Sequence, residues 1–147
     1  MKYDIRKMNL FDVSDDYYLA HCISADFGMG KGIVIEFNKR FNMKRKLQES
    51  NPNYLLYWKR YGMIADCIKV DKVFNLITKE RYFHKPTYSS LRYSLCAMRD
   101  IAVKNKINKI AMPKIGCGLD GLQYDKVEKI IKEVFKDTNI EILVCYL

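Results

Sequence analysis

The stretch from Lys109 to Tyr146 constrains the fold most, because it reads as strand, loop, helix and strand in unbroken succession. Residues 109–112 form a short apolar run, and 140–146 form another rich in β-branched and aromatic side chains. Between them, 124–136 place Val127, Ile131 and Val134 on one helical face, with Ile130 and Phe135 flanking. Further strand signals fall at 3–6, 18–23, 63–68 and 73–77. Helical spacing recurs at 32–41, with Ile33, Ile35 and Phe37 before a basic tail. It recurs again at 89–104, where Leu91, Leu95, Met98 and Ala102 follow a Pro86-Thr87 start signal. The two strands within 63–77 succeed one another across Val70-Asp71. Alternating strands and helices predict an α/β fold: a central mixed β-sheet with helices on both faces, in three αβα layers. In such sheets ligands bind outside the carboxyl ends of the strands.

The chain has 147 residues, and 49% of them are hydrophobic, enough for one domain, 1–147, with a substantial core. It shows no repeat, low-complexity segment or Pro/Gly-rich linker. The net charge of +9 favours anionic partners such as phosphates, nucleotides or nucleic acid. Five cysteines, without paired spacing, suit small buried thiols in a reducing compartment better than disulfides or zinc. The opening MKYDIRKMNL lacks the apolar core of a signal peptide, and no run reaches the length of a membrane span. The expectation is a cytoplasmic protein with no membrane partner.

Two glycine-containing loops each join a strand to a helix: SADFGMGKGI (24–33) and IGCGLDGLQ (115–123). Glycine lets backbone N–H groups approach a ligand, and at a helix N-terminus those groups suit a phosphate. Ordinary turns use glycine too, so one loop alone is a weak signal. Two loops at the ends of different strands favour a cradle for a pyrophosphate. Neither matches the dinucleotide fingerprint or a P-loop, and Lys31 has the wrong spacing for a Walker lysine.

Lys79 follows the strand VFNLIT, and Asp120 stands among Gly116, Gly118 and Gly121. Taken alone, the lysine reads equally as a solvated strand end and the acid as a turn residue. His21, in an apolar strand, reads as a packed histidine, and His84 as a loop residue. Two isolated histidines argue against a metal site. Cys117 sits where a nucleophile would, with no evident base. The run NKRFNMKRK (38–46), with NYLLYWKRY after it, interleaves basic and aromatic residues as some nucleic-acid surfaces do.

Together, LAHCISADFGMGKGI, LITKERYFHKPTY, MPKIGCGLDGLQY and the closing IEILVCYL resemble macrodomains, in the terminal ADP-ribose protein glycohydrolase subfamily. The likeness spans nearly the whole chain in the same order. It implies the macrodomain αβα sandwich, ADP-ribose binding, and hydrolytic removal of ADP-ribose from carboxylate-linked proteins. It further implies deacetylation of O-acetyl-ADP-ribose and, in some bacterial relatives, action on ADP-ribosylated DNA bases. The family's lysine in LITK falls on Lys79 and its aspartate in GCGLD on Asp120. The phosphate loops fall on Met29, Gly30, Gly32 and Ile33, and on Ile115, Gly116, Cys117, Gly118 and Leu119. Ser24 occupies the family's serine close to the ligand. Asn9, Leu10, Thr78, Pro113 and Leu147 complete the implied ADP-ribose contacts. Many macrodomains carry an acid where Asn9 stands, in MNLF; an amide oxygen accepts the same hydrogen bond without charge.

The resemblance implies a mechanism in which Lys79 attacks the anomeric carbon of the distal ribose and Asp120 manages the protons. It implies no cofactor and no metal, and a monomer acting on ADP-ribosylated proteins, with ADP-ribosylated nucleic acid a further partner. Two other readings stay open. One is a non-catalytic ADP-ribose reader; the other is a nucleic-acid-binding protein whose glycine loops are structural.

Overall fold

The computed structural model describes all 147 residues. Six strands form one sheet: β1 (Lys2–Lys7), β2 (Tyr18–Ser24), β3 (Asp66–Val70), β4 (Val73–Lys79), β5 (Lys109–Met112) and β6 (Glu141–Tyr146). Their order across the sheet is β1-β6-β5-β2-β4-β3. Every neighbouring pair is parallel except β3 and β4. That pair is a hairpin whose register pairs Val70 with Val73, turning through Asp71 at φ 51°. The expected mixed sheet is therefore parallel with one antiparallel edge strand.

Side-chain alternation along the strands builds two cores. Leu19 and Ile23 of β2, Val73 and Ile77 of β4 and Leu143 of β6 face one side. Ala20, Phe74, Leu76, Ile142 and Val144 face the other. The second side is covered by α4 (Tyr88–Lys104) and α5 (Tyr124–Phe135). Leu91, Leu95, Met98 and Ala102 on α4, and Val127 and Ile131 on α5, are all fully buried, as their spacing predicted. Thr87 caps α4: its side chain accepts from Ser90 N at 3.0 Å, and Ser90 Oγ accepts from Thr87 N. This reciprocal box fixes where the chain leaving the sheet turns helical.

The opposite face carries three short helices, α1 (Val34–Phe41), α2 (Met43–Ser50) and α3 (Tyr54–Arg60). The sequence predicted only the first, and began it too early. Ile33 is 36% exposed, while Phe37 is fully buried. Spacing of two residues between Ile33, Ile35 and Phe37 cannot keep all three on one helical face. The other two helices each contribute two core anchors, Met43 and Leu47, then Tyr54 and Trp58. Two apolar residues per helix are too few to show a period. Packing on the sheet makes these segments helical, while Asn42 and Asn53 at φ 51° and 61° break the chain between them.

Strand β2 is the switch point. From it the chain runs to β3 and β4 on one side, then returns through α4 to β5 on the other. A crevice opens at such a point, above the carboxyl ends of β5, β2 and β4.

Candidate active site

Three loops rise from those adjacent strand ends: 25–33 after β2, 80–87 after β4, and 113–123 after β5. They enclose a cleft of about 810 Å³. Both glycine loops line it, and they touch: Leu119 Cδ1 lies 3.5 Å from where a Cβ on Gly32 would stand. A smaller cavity of about 620 Å³ lies near the start of β2 and β4, around Phe11, Leu19 and Val73, and contains neither Lys79 nor Asp120.

At the cleft floor, Lys79 Nζ donates to Asp120 Oδ1 at 2.8 Å. The side chains are 13% and 18% exposed, so the pair is shielded from bulk water yet open to the cleft. Their meeting depends on two irregularities. The β2–β4 register slips after Ile23–Ile77, so that Ser24 pairs with Lys79 and Thr78 is passed over. A bulge of this kind re-aims the side chains beyond it. Asp120 ends a single 3-10 turn, Gly118–Asp120, held by Gly121 N donating to the Gly118 carbonyl at 3.1 Å. Positive φ at Gly116, Gly118 and Gly121 (72°, 67° and 79°) lets the backbone make that turn.

The glycines have different reasons to be glycine. A Cβ on Gly116 would sit 2.8 Å from Leu122 Cδ1, so this position serves internal packing. A Cβ on Gly118 would meet nothing within 4 Å, leaving its backbone open to the cleft. Gly116 lines the cleft as well, at a φ of 72°.

One carboxylate that sequence reasoning missed organises the site. Asp26 Oδ1 accepts from Ser24 Oγ at 2.5 Å and from Gly28 N at 3.0 Å, and its Oδ2 accepts from Tyr82 N at 3.1 Å. Burial works against its charge. The Ser24 hydroxyl, the two backbone N–H groups and the nearby Arg81 outweigh it and hold the carboxyl below the usual range. Asp26 therefore clamps the end of β2, the first glycine loop and the loop after Lys79 to one another. The Ser-x-Asp-x-Gly spacing of an Asx turn was the available signal.

Of the expected residues, Ser24, Gly30, Gly32, Ile33, Lys79, Pro113, Ile115, Gly116, Cys117, Gly118, Leu119 and Asp120 all line the cleft. Met29, Leu10 and Thr78 are buried and Asn9 and Leu147 exposed, and none of the five lines the cleft. Asn9 Oδ1 accepts from Phe11 N at 2.9 Å and caps the 3-10 turn Leu10–Asp12. The cleft also takes in Cys22, Lys31, Tyr82, Phe83, Lys85 and Lys114, none of them singled out as site residues by the motifs. Lys85 donates to the Leu119 carbonyl and ties the 80–87 loop to the second glycine loop.

The thiols are poorly suited to attack. Burial, reinforced by the Asp120 charge, pushes the Cys22 thiol up to about 12, and burial raises Cys117 as well. His21 is fully buried, stacked on Phe37 at 3.8 Å, with Nε2 2.6 Å from Asn75 Oδ1. It is the packed histidine its strand implied. His84 Nδ1 accepts from Arg81 N within the 80–87 loop. No group of three or more His, Cys, Asp or Glu stands close enough together to hold a metal ion. No helix is long and apolar enough to cross a membrane.

Three of the five cations in the basic run are paired. Arg40 pairs with Glu36, Arg45 with Glu49 at 2.9 Å, and Lys46 with Asp71 at 2.8 Å. The run reads as a solvated helical face on which Lys39 and Lys44 make no salt bridge.

No family model matches the chain. ADP-ribose glycohydrolase OARD1 of Bos taurus is 42% identical over 94% of this chain and 87% of that protein. The Homo sapiens protein of the same name is 41% identical over the same shares. Among solved structures, the macrodomain of Mycobacterium tuberculosis DarG superposes with a TM-score of 0.79 at 20% identity, covering 99% of this chain and 97% of that one. With a six-stranded αβα sandwich, two touching glycine loops and a lysine–aspartate pair on the cleft floor, the chain belongs to the macrodomains, in the ADP-ribose glycohydrolase family.

Proposed function

We propose that this protein is an ADP-ribosyl hydrolase that releases ADP-ribose from carboxylate-linked glutamate and aspartate residues of proteins. The observation that carries this reading is the 2.8 Å contact between Lys79 Nζ and Asp120 Oδ1 at the floor of a cleft walled by two glycine loops. The diphosphate lies along the backbone N–H groups of those loops, and the distal ribose enters above the pair.

Attack requires a free amine, and Asp120 is the acceptor in hydrogen-bond reach of the Lys79 proton. The amine forms a bond to the anomeric carbon as the glycosidic C–O bond breaks, and the carboxylate leaves with the electron pair. The glycosylamine so formed opens its ring, the bond from the anomeric carbon to the ring oxygen breaking as a nitrogen proton passes to that oxygen. The resulting imine is resolved by water, which gives a proton to Asp120 after that carboxyl has passed its first proton to the departing carboxylate. The C–N bond then breaks, the amine regains its proton, and free ADP-ribose departs. The same centre is assigned deacetylation of O-acetyl-ADP-ribose and removal of ADP-ribose from DNA bases. We place the whole reaction within residues 1–147 of one copy, working in the cytoplasm without a cofactor.

A turnover panel on glutamate-linked peptide, modified DNA strand and O-acetyl-ADP-ribose tests this reading. Release of ADP-ribose from the peptide, abolished by Lys79→Ala, is expected. Tight ADP-ribose binding with no turnover of any substrate would make the protein a reader instead.

A further inference from the structure

Exposed aromatic side chains are concentrated on one flank of the cleft. Tyr82 and Phe83, 61% and 65% exposed, form an edge-on pair at the cleft rim with centroids 5.3 Å apart. The Tyr82 Cβ abuts Gly28, 2.8 Å from that glycine's ideal Cβ position. Next to Gly28 the ring of Phe27 stacks on Tyr54 at 5.3 Å. Tyr54 contacts Tyr57 at 5.9 Å, and Tyr57 contacts Tyr61 at 4.8 Å. The ladder surfaces again there, since Tyr57 and Tyr61 are 50% and 63% exposed. Phe27 and Tyr54 are themselves buried, 4% and 7% exposed, so the exposed Tyr57–Tyr61 face of α3 is a patch of its own, apart from the cleft rim.

The charge on this face of α3 is of one sign. The stretch YLLYWKRYGMIA, from 54 to 65, contains no acid. Lys59 and Arg60, both exposed, make no salt bridge, unlike Arg40, Arg45 and Lys46 in the preceding basic run. Exposed rings with unpaired cations between them are the combination that holds unpaired bases by their faces and their phosphates by charge. A second copy of this chain is a poorer occupant, because each copy carries a net charge of +9 and an acid-free patch would meet another.

We propose that the Tyr57–Tyr61 face of α3, with Lys59 and Arg60, is a binding surface for single-stranded nucleic acid. It takes unmodified strands, so it does not depend on the hydrolase reading.

The test is fluorescence anisotropy of the full chain with an unmodified, mixed-sequence 12-nucleotide strand, as RNA and as DNA, over a range of salt. Binding that weakens with salt is expected, with an intact duplex bound less tightly because its bases are already stacked. Tyr57→Ala/Tyr61→Ala should weaken strand binding about tenfold or more. Lys59→Ala/Arg60→Ala should reduce the slope of log affinity on log salt by roughly 1.4, two phosphate contacts' worth for a single strand. O-acetyl-ADP-ribose binding should stay as in the parent, because these side chains lie outside the cleft. The proposal is overturned if the parent protein fails to bind the strand at low salt, or if the tyrosine variant binds as well as the parent. It is equally overturned if light scattering shows a dimer that the tyrosine variant abolishes while strand binding persists unchanged.

Discussion

Gly28→Ala is a small change with a consequence worked out from a single contact. Gly28 has no positive φ, so alanine is conformationally acceptable there. Its Cβ, however, would lie 2.8 Å from Tyr82 Cβ and 3.2 Å from Tyr82 Cγ. Turning the tyrosine about χ1 moves Cγ but leaves Cβ where it is, so relief requires the backbone to shift. That shift pulls Tyr82 N from Asp26 Oδ2, now 3.1 Å away, and loosens the clamp between the two loops. Overpacking costs about 1–3 kcal/mol, and the exposed loop can yield, which favours the lower half of that range. A weakened hydrogen bond to a carboxylate adds about 1 kcal/mol. The sum, about 2–3 kcal/mol, corresponds to a fall in Tm of roughly 4–12 °C for a domain of this size. Differential scanning calorimetry measures it. The decisive controls are Tyr82→Ala, which keeps the offending Cβ, and Tyr82→Gly, which removes it. In the Gly28→Ala background, only Tyr82→Gly should restore the loss, less the ~1 kcal/mol that glycine costs in loop entropy. Equal rescue by both, or an unchanged Tm in Gly28→Ala, would refute the contact as the cause.

Lys79→Ala should abolish glycohydrolysis while ADP-ribose affinity by calorimetry stays within a few fold, and Lys79→Arg should be equally inactive because guanidinium stays protonated. An active Lys79→Ala protein would exclude the covalent route. Asp120→Ala should be slowed by about 10²–10⁴-fold and should accumulate an ADP-ribose adduct on Lys79, seen by intact mass under denaturing conditions; the double variant should show none. Gly118→Val should cost about 1–2 kcal/mol of stability from its φ of 67° in addition to weakening ADP-ribose binding, so the loss must be measured on both axes. Burial holds His21 neutral and lowers its pKa to about 4. A depressed folded-state value against about 6.5 in the unfolded chain means that its contribution is present above pH 6.5 and lost as pH falls toward 4. Urea titrations across that window should show a stability loss of up to about 3 kcal/mol in the parent, and a flatter profile in His21→Gln.

Much was legible in the sequence because the information was local. Short apolar runs and helical spacing located all six strands and α4 and α5, since a strand or helix that packs on one face must carry that face in its own residues. Motifs around Lys79 and Asp120 marked the two residues that meet on the cleft floor for the same reason: strand end and glycine turn are each written in consecutive residues. Helices α2 and α3 were not legible, because each is held by two anchors whose partners come from distant strands. Nor were the roles of single residues among the loops. That Gly116 is bare for Leu122 and Gly118 for the cleft, and that Asp26 binds Tyr82 across 56 positions, depend on loops from different strands arriving at one crevice. The basic run shows the same division. Its charge was plain in the sequence, but only the folded chain brought Asp71 to Lys46 and left Lys59 and Arg60 without acids. Composition and spacing set which elements form and which chemistry they carry. The sheet order, by bringing β5, β2 and β4 side by side, decided which of those residues meet.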